Sequence, residues 1–181
     1  MVLNRIELFS THSSQAIGDF HNAQILFCET GVSSLSTSFP ANYDGGTPTE
    51  ALFVELLSID WTHSSPGWNG FDLDTPFEYS GSGNLIIEFR YLGHNGKTVN
   101  ARAASLPTGD RCLSAGHPES ASGTLMSFLT CMRLHYEATG LPGVTFGAVK
   151  TLFALPGHNH SPGVIHPRSG NPEEVNAGRH F

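Results

Sequence analysis

Between residues 71 and 79 the chain alternates strictly. Phe71, Leu73, Thr75, Phe77 and Tyr79 share one face, and Asp72, Asp74, Pro76 and Glu78 the other. A two-residue period is that of an extended strand with one face buried. Pro76 lacks the N–H that a central strand needs, so it predicts an edge or a bulge. After Ser80, Gly81, Ser82 and Gly83 the pattern resumes, with Leu85, Ile87, Phe89 and Tyr91 set against Ile86, Glu88 and Arg90. Ser and Gly favour a turn, so the two segments are expected to pair as a hairpin.

Shorter apolar runs flank this region. Ile6 and Leu8 start one strand, residues 24–29 (QILFCE) make a second, and residues 50–61 (EALFVELLSIDW) a longer, nearly continuous apolar one. Hydrophobicity alone does not separate that last run from a helix. Its Phe, Val, Ile and Trp are strand formers, and Gly45, Gly46 and Pro48 before it and Pro66 and Gly67 after it bracket it closely. Downstream, residues 98–104 and 111–114 are short candidates. Phe128, Thr130, Met132, Leu134 and Tyr136 mark a strand whose other face carries Cys131, Arg133, His135 and Glu137. About eight strands then precede residue 138 with no helical segment between them, which predicts an all-β fold, an antiparallel two-sheet sandwich or jelly roll, and disfavours a parallel sheet. Composition agrees: with 20 Gly and 11 Pro among 181 residues, the chain is rich in turns.

Residues 1–137 are therefore expected to form the sandwich domain and residues 138–181 a C-terminal extension. In the extension, residues 138–143 (ATGLPG) form a tether and residues 144–155 (VTFGAVKTLFAL) one further strand, with Val144, Phe146, Val149, Leu152, Phe153 and Leu155 as its apolar positions. The remainder, from His158 to Phe181, is Gly, Pro, Asn and His with no apolar period. A sandwich has edge strands whose free backbone groups accept an added strand. Folded back, residues 144–155 would complete their own sheet; paired with a neighbour's, they would link subunits head to tail into a filament, tube or ring.

Two stretches, residues 24–48 (QILFCETGVSSLSTSFPANYDGGTP) and residues 68–91 (WNGFDLDTPFEYSGSGNLIIEFRY), have a familiar layout. A strand is followed by a Thr/Ser-rich loop ending in an Asn-Tyr turn, and then by a TPF-Y-G-NL hairpin. In this the chain resembles β-sandwich modules of secreted and cell-surface proteins of environmental bacteria, across residues 4–137. The resemblance implies an extracellular sandwich without an active site, and no functional residue is carried over from it.

Charge and chemistry narrow the roles further. Nine Lys and Arg against 16 Asp and Glu give a net charge of -7, which opposes nucleic acid and anionic lipid. No run approaches the length of a membrane span, and Arg5 and Glu7 interrupt the first ten residues where a signal peptide would be apolar. Cys28, Cys112 and Cys131 lack metal-knuckle spacing. Cys112 and Cys131 are the preferred disulfide, with three buried thiols as the alternative. His158, His160 and His166 are weak metal candidates because no carboxylate or thiolate accompanies them, so no metal or cofactor is expected. Asp72 and Asp74, with Glu78, suit calcium less well than a solvated strand face. Trp61 and Trp68 flank a loop and could stack on sugar rings or anchor the loop. No GxSxG elbow or phosphate-cradling loop occurs. The expectation is a non-enzymatic structural subunit or interaction module of an extracellular assembly, partnered by copies of itself. The alternative is a carbohydrate-binding module using Trp61 and Trp68.

Overall fold

A computed structural model describes residues 1–10, 17–61, 67–95, 99, 101–105 and 109–137, and the backbone of residues 149–154. In chain order the elements are β1 (Val2–Ser10), β2 (Ile17–Thr30), the single helical turn α1 (Phe39–Asn42), β3 (Thr49–Asp60), β4 (Gly67–Glu78), β5 (Asn84–Arg90), β6 (Gly93–His94), β7 (Ala103–Ser105), β8 (Cys112–Ala115), β9 (Thr124–Met126), β10 (Phe128–Thr130), β11 (Met132–Glu137) and β12 (Val149–Ala154). The fold is all-β. A three-stranded sheet has the order β11-β1-β4, a seven-stranded sheet the order β3-β2-β5-β12-β8-β9 with β6 beside β2, and β7 and β10 form a third, two-stranded pair.

The strands' apolar faces meet in one large core. Leu3 and Ile6 from β1, Ile25 and Phe27 from β2, Ala51 and Leu52 from β3, and Leu85 and Ile87 from β5 are buried together with Met1 and Tyr79. Phe71, Leu73 and Phe77 of β4 and Met132 and Leu134 of β11 pack around them. The alternation of β4 and β11 thus reports a sheet with one face on this core and the other outward. The middle of the large sheet differs, because its second face is also covered there. Cys28, Ile86 and Leu113 there pack under Leu35, Phe39 and Tyr43 of the segment joining β2 to β3. Burial on both faces accounts for the near-continuous apolar runs of β2 and β5.

Asn42 holds the covering segment in shape. Fully buried, it accepts from the Ser36 N–H at 2.8 Å and donates to the Ser36 carbonyl at 3.0 Å, while its own carbonyl accepts from the Thr30 hydroxyl at 2.8 Å. Ser38 caps α1 by accepting from the Ala41 N–H, with Pro40 in the first turn where a missing N–H does no harm.

Three expectations need correction. The segments around the Ser80–Gly83 turn do not pair as a hairpin: β4 joins β1 in the small sheet and β5 joins β2 in the large one, so the turn carries the chain between sheets. The run from Phe128 to Tyr136 is two strands, β10 and β11, which break at Cys131 and belong to different sheets. Parallel pairing is present, since β12 runs parallel to both β5 and β8. The expected irregularity near Pro76 is found: between Leu3 and Arg5 the β1–β4 register slips, and Leu3 pairs with Phe77 while Arg5 pairs with Asp72.

The turn itself is organised by Glu29 at the end of β2. Its carboxylate accepts from the backbone N–H groups of Ser80, Ser82 and Gly83 at 3.0, 3.1 and 3.0 Å, and Gly81 supplies the positive φ of 82°. Partial burial alone would raise the Glu29 pKa, but these bonds and the Ser80 hydroxyl outweigh it and hold it below the usual carboxylate range. A depressed folded-state pKa contributes stability above the unfolded carboxylate pKa, and that stability is lost as pH falls through the folded value. Glu29→Gln is therefore expected to lower Tm at pH 7 and to narrow the Tm difference between pH 7 and pH 3, as measured by thermal circular dichroism at the two pH values.

Candidate functional site

Two regions combine exposure, or a replaceable partner, with defined chemistry. The first is the slot occupied by β12. Val149 to Ala154 pair in parallel with Leu85 to Arg90 of β5, and Thr151 to Ala154 with Cys112 to Ala115 of β8. Both slot walls are apolar and buried: Leu85, Ile86 and Ile87 of β5 and Cys112 and Leu113 of β8 are at most 1% exposed. Of the expected linking residues, Val149, Leu152 and Phe153 lie on this strand, whereas Val144, Phe146 and Leu155 fall outside the described residues.

One charged side chain sits in the same wall. Glu88 is 1% exposed and is fully engaged: it accepts from the Tyr43 hydroxyl at 2.7 Å and from Arg90 at 2.8 and 3.1 Å. Burial, followed by the neighbouring Glu88 charge, pushes the Tyr43 phenol well above its ordinary pKa and keeps it a donor. A buried carboxylate met by a guanidinium and a hydroxyl is a satisfied network, and removing one partner would strand the charge. The alternation of β5 points Glu88 to solvent; the sequence-distant Tyr43 meets it instead.

The second region is the outward face of the small sheet. Cross-strand register places Asp72, Arg5 and His135 in one row, Gly70, Glu7 and Arg133 in the next, and Trp68 beside Phe9 in a third. Arg5 donates to Asp72 at 2.7 Å and to Glu7 at 3.3 Å, and a His135 ring nitrogen lies 2.9 Å from Glu7. The hydrogen bond with His135 and then that with Arg5 hold the Glu7 pKa down against the opposing effect of burial, and the bond to Asp72 is the main cause raising that of Arg5. Phe9 meets Trp68 edge to face at 5.2 Å, and the Arg133 guanidinium carbon lies 4.2 Å from the Trp68 ring centre. Gly70, without a side chain, leaves the middle row open for Arg133 to cross β1 and reach the indole.

The structure separates the two tryptophans. Trp61 packs on Phe71, which faces the core, with ring centres 5.8 Å apart, whereas Trp68 belongs to the outward face, so they do not form one platform. The expected Cys112–Cys131 bridge is not formed. All three cysteines are free thiols; Cys112 is buried in the large sheet with its pKa pushed up to about 12 by burial, and Cys131 lies between β10 and β11. His158, His160 and His166 lie outside the described residues. Among the described residues no group of three or more His, Cys, Asp or Glu is placed to hold a metal ion, and Asp72 and Asp74 are turned to separate partners, Arg5 and the Phe53 N–H. No helix among the described residues is long and apolar enough to cross a membrane. Comparison with protein-family models, curated proteins and solved structures gives no match to this chain.

Gly70 is a strict requirement of the outward face. A Cβ built there would lie 2.0 Å from the Ile6 carbonyl oxygen and 2.6 Å from the Glu7 Cα, both backbone atoms that cannot rotate away. Gly70→Ala is expected to destabilise the fold by about 1–3 kcal/mol. Gly93→Ala, whose nearest neighbour is 3.8 Å away, should leave it nearly unchanged. Urea denaturation of the two variants checks the contrast.

Proposed function

We propose that this chain is a non-enzymatic structural subunit or interaction module of an extracellular assembly, built from copies of itself. In this reading the β5–β8 slot accepts the C-terminal strand of a neighbouring copy, and the two sheets that share the large core act as a sandwich of mixed strand direction. The observation that carries it is the place of β12: the last described strand of the chain is not an edge ornament but the only strand that bridges β5 to β8. The bonds that seat it are backbone bonds, which any copy of the same strand can make. Eleven residues separate Glu137 from Val149. Fully extended, such a tether spans about 40 Å, enough to reach an adjoining molecule. Exchange of an identical element then links subunits with little new chemistry, and a head-to-tail operator that does not close gives a filament, tube or surface layer. The extracellular setting is supported by the resemblance of residues 24–48 and 68–91 to secreted and cell-surface modules.

The test compares the full chain with one ending at Glu137, by size-exclusion chromatography with light scattering and negative-stain microscopy. The full chain is expected to form large or fibrous species, and the shortened chain to lose the fibres and to capture a synthetic peptide of residues 144–155. Compact monomers for the full chain at all concentrations, with no capture of the peptide by the shortened one, would overturn assembly by this route.

A further inference from the structure

We propose that the outward face of the small sheet binds a uronic-acid residue of an acidic polysaccharide, with Arg133 pairing with its carboxylate and Trp68 and Phe9 flanking the sugar ring. This site is separate from the strand slot and does not depend on it.

The argument starts from the charge inventory of the face. Arg5 is taken up by Asp72 and Glu7, and His135 by Glu7. Arg133 is different. It is exposed, it rests on the Trp68 indole, and among the described residues no carboxylate pairs with it, although Glu7 is its cross-strand neighbour. A guanidinium presents five N–H donors in a planar fork, and contact with an aromatic ring limits the positions that fork can take. Its missing complement is a planar, two-oxygen anion, and a carboxylate meets that description.

What surrounds Arg133 selects the rest of the ligand. Half-buried Phe9 and the part of the Trp68 indole that Arg133 leaves uncovered, with ring centres 5.2 Å apart and nearly perpendicular, give apolar surface against which the C–H groups of a pyranose ring can lie. In the opposite direction along the strands, the exposed side chains of Asp72 and His135 keep hydrogen-bonding capacity beyond their pairs with Arg5 and Glu7, suited to ring hydroxyls. The two carboxylates there disfavour densely sulfated or phosphorylated polymers, which crowd several charges onto each unit, whereas Arg133 offers a place for one carboxylate. A singly charged sugar with neutral hydroxyls fits both halves of the face. The pairing of carboxylate and guanidinium at an exposed site predicts an affinity that weakens with salt.

The experiment uses the full chain and oligomers of galacturonic acid, with neutral galactose oligomers of equal length and an oligo-glutamate peptide as comparators. Binding is read by calorimetry and by tryptophan fluorescence in a Trp61→Phe background. Galacturonate oligomers are expected to bind and to quench Trp68, and both comparators to bind at least about tenfold more weakly. Arg133→Gln should cost about tenfold or more in affinity, the size expected for one charge-assisted contact, with far-UV circular dichroism unchanged. Should Arg133→Gln disturb the fold, Arg133→Lys decides, since it keeps the charge and loses the fork; it is expected to bind more weakly than the parent. The proposal is overturned by an absence of heat and quenching at millimolar galacturonate, by equal binding of the neutral or peptide comparator, or by unchanged affinity in the folded Arg133 variant.

Discussion

The middle of β5, Leu85 to Glu88, is buried on both faces, and that condition organises the molecule. Leu85 and Ile87 face the core shared with the small sheet, and Ile86 and Glu88 face the covering segment around Phe39 and Tyr43. Its backbone N–H and C=O groups can be satisfied only by neighbouring strands, because a buried and unpaired peptide group is a serious loss. β2 supplies one side and β12 the other. Everything beyond it, β8 and β9, is joined to the rest of the large sheet through β12.

The two sheets divide the work accordingly. The large sheet carries the burial and the satisfied Tyr43–Glu88–Arg90 network. The small sheet has one free face and concentrates its polar and aromatic chemistry there. A sheet covered on both sides has no room for surface function, and one covered on a single side does.

How much of this was legible in the sequence follows from what alternation encodes. It identifies the face a residue takes when one side of the strand is wet, so Phe71, Leu73, Phe77, Met132 and Leu134 lie on the core as expected, whereas Thr75 and Tyr136 of the same expected faces are exposed. It does not encode partners, which is why β4 and β5 looked like a hairpin although they belong to different sheets. It fails where a distant segment covers the supposed wet face, as with Glu88 under Tyr43. Side-chain type and the bracketing Gly and Pro do identify β3, whose span Thr49–Asp60 covers the expected run of residues 50–61 except Trp61. The parallel seating of Val149 to Ala154 depends on contacts some sixty residues back in the chain, beyond any local pattern. Trp61 and Trp68 are close in sequence, which leaves a shared platform and loop anchoring equally legible; the strand of Trp68 turns it outward while Trp61 meets inward-facing Phe71. Alternation places Arg133 on the outward face of its strand, but the ring it reaches across β1 lies beyond any local pattern.

The position of β12 also sets a timetable for synthesis. Translation at roughly 5–20 residues per second leaves about 3–13 seconds between the last residue of β5, Arg90, and the last of β12, Ala154. Through that interval the nascent molecule carries a long apolar strand with one edge unsatisfied, the condition most prone to pairing with a stranger. Biogenesis of this protein therefore has a vulnerable period measured in seconds, and whatever shields that edge from other nascent chains governs its yield.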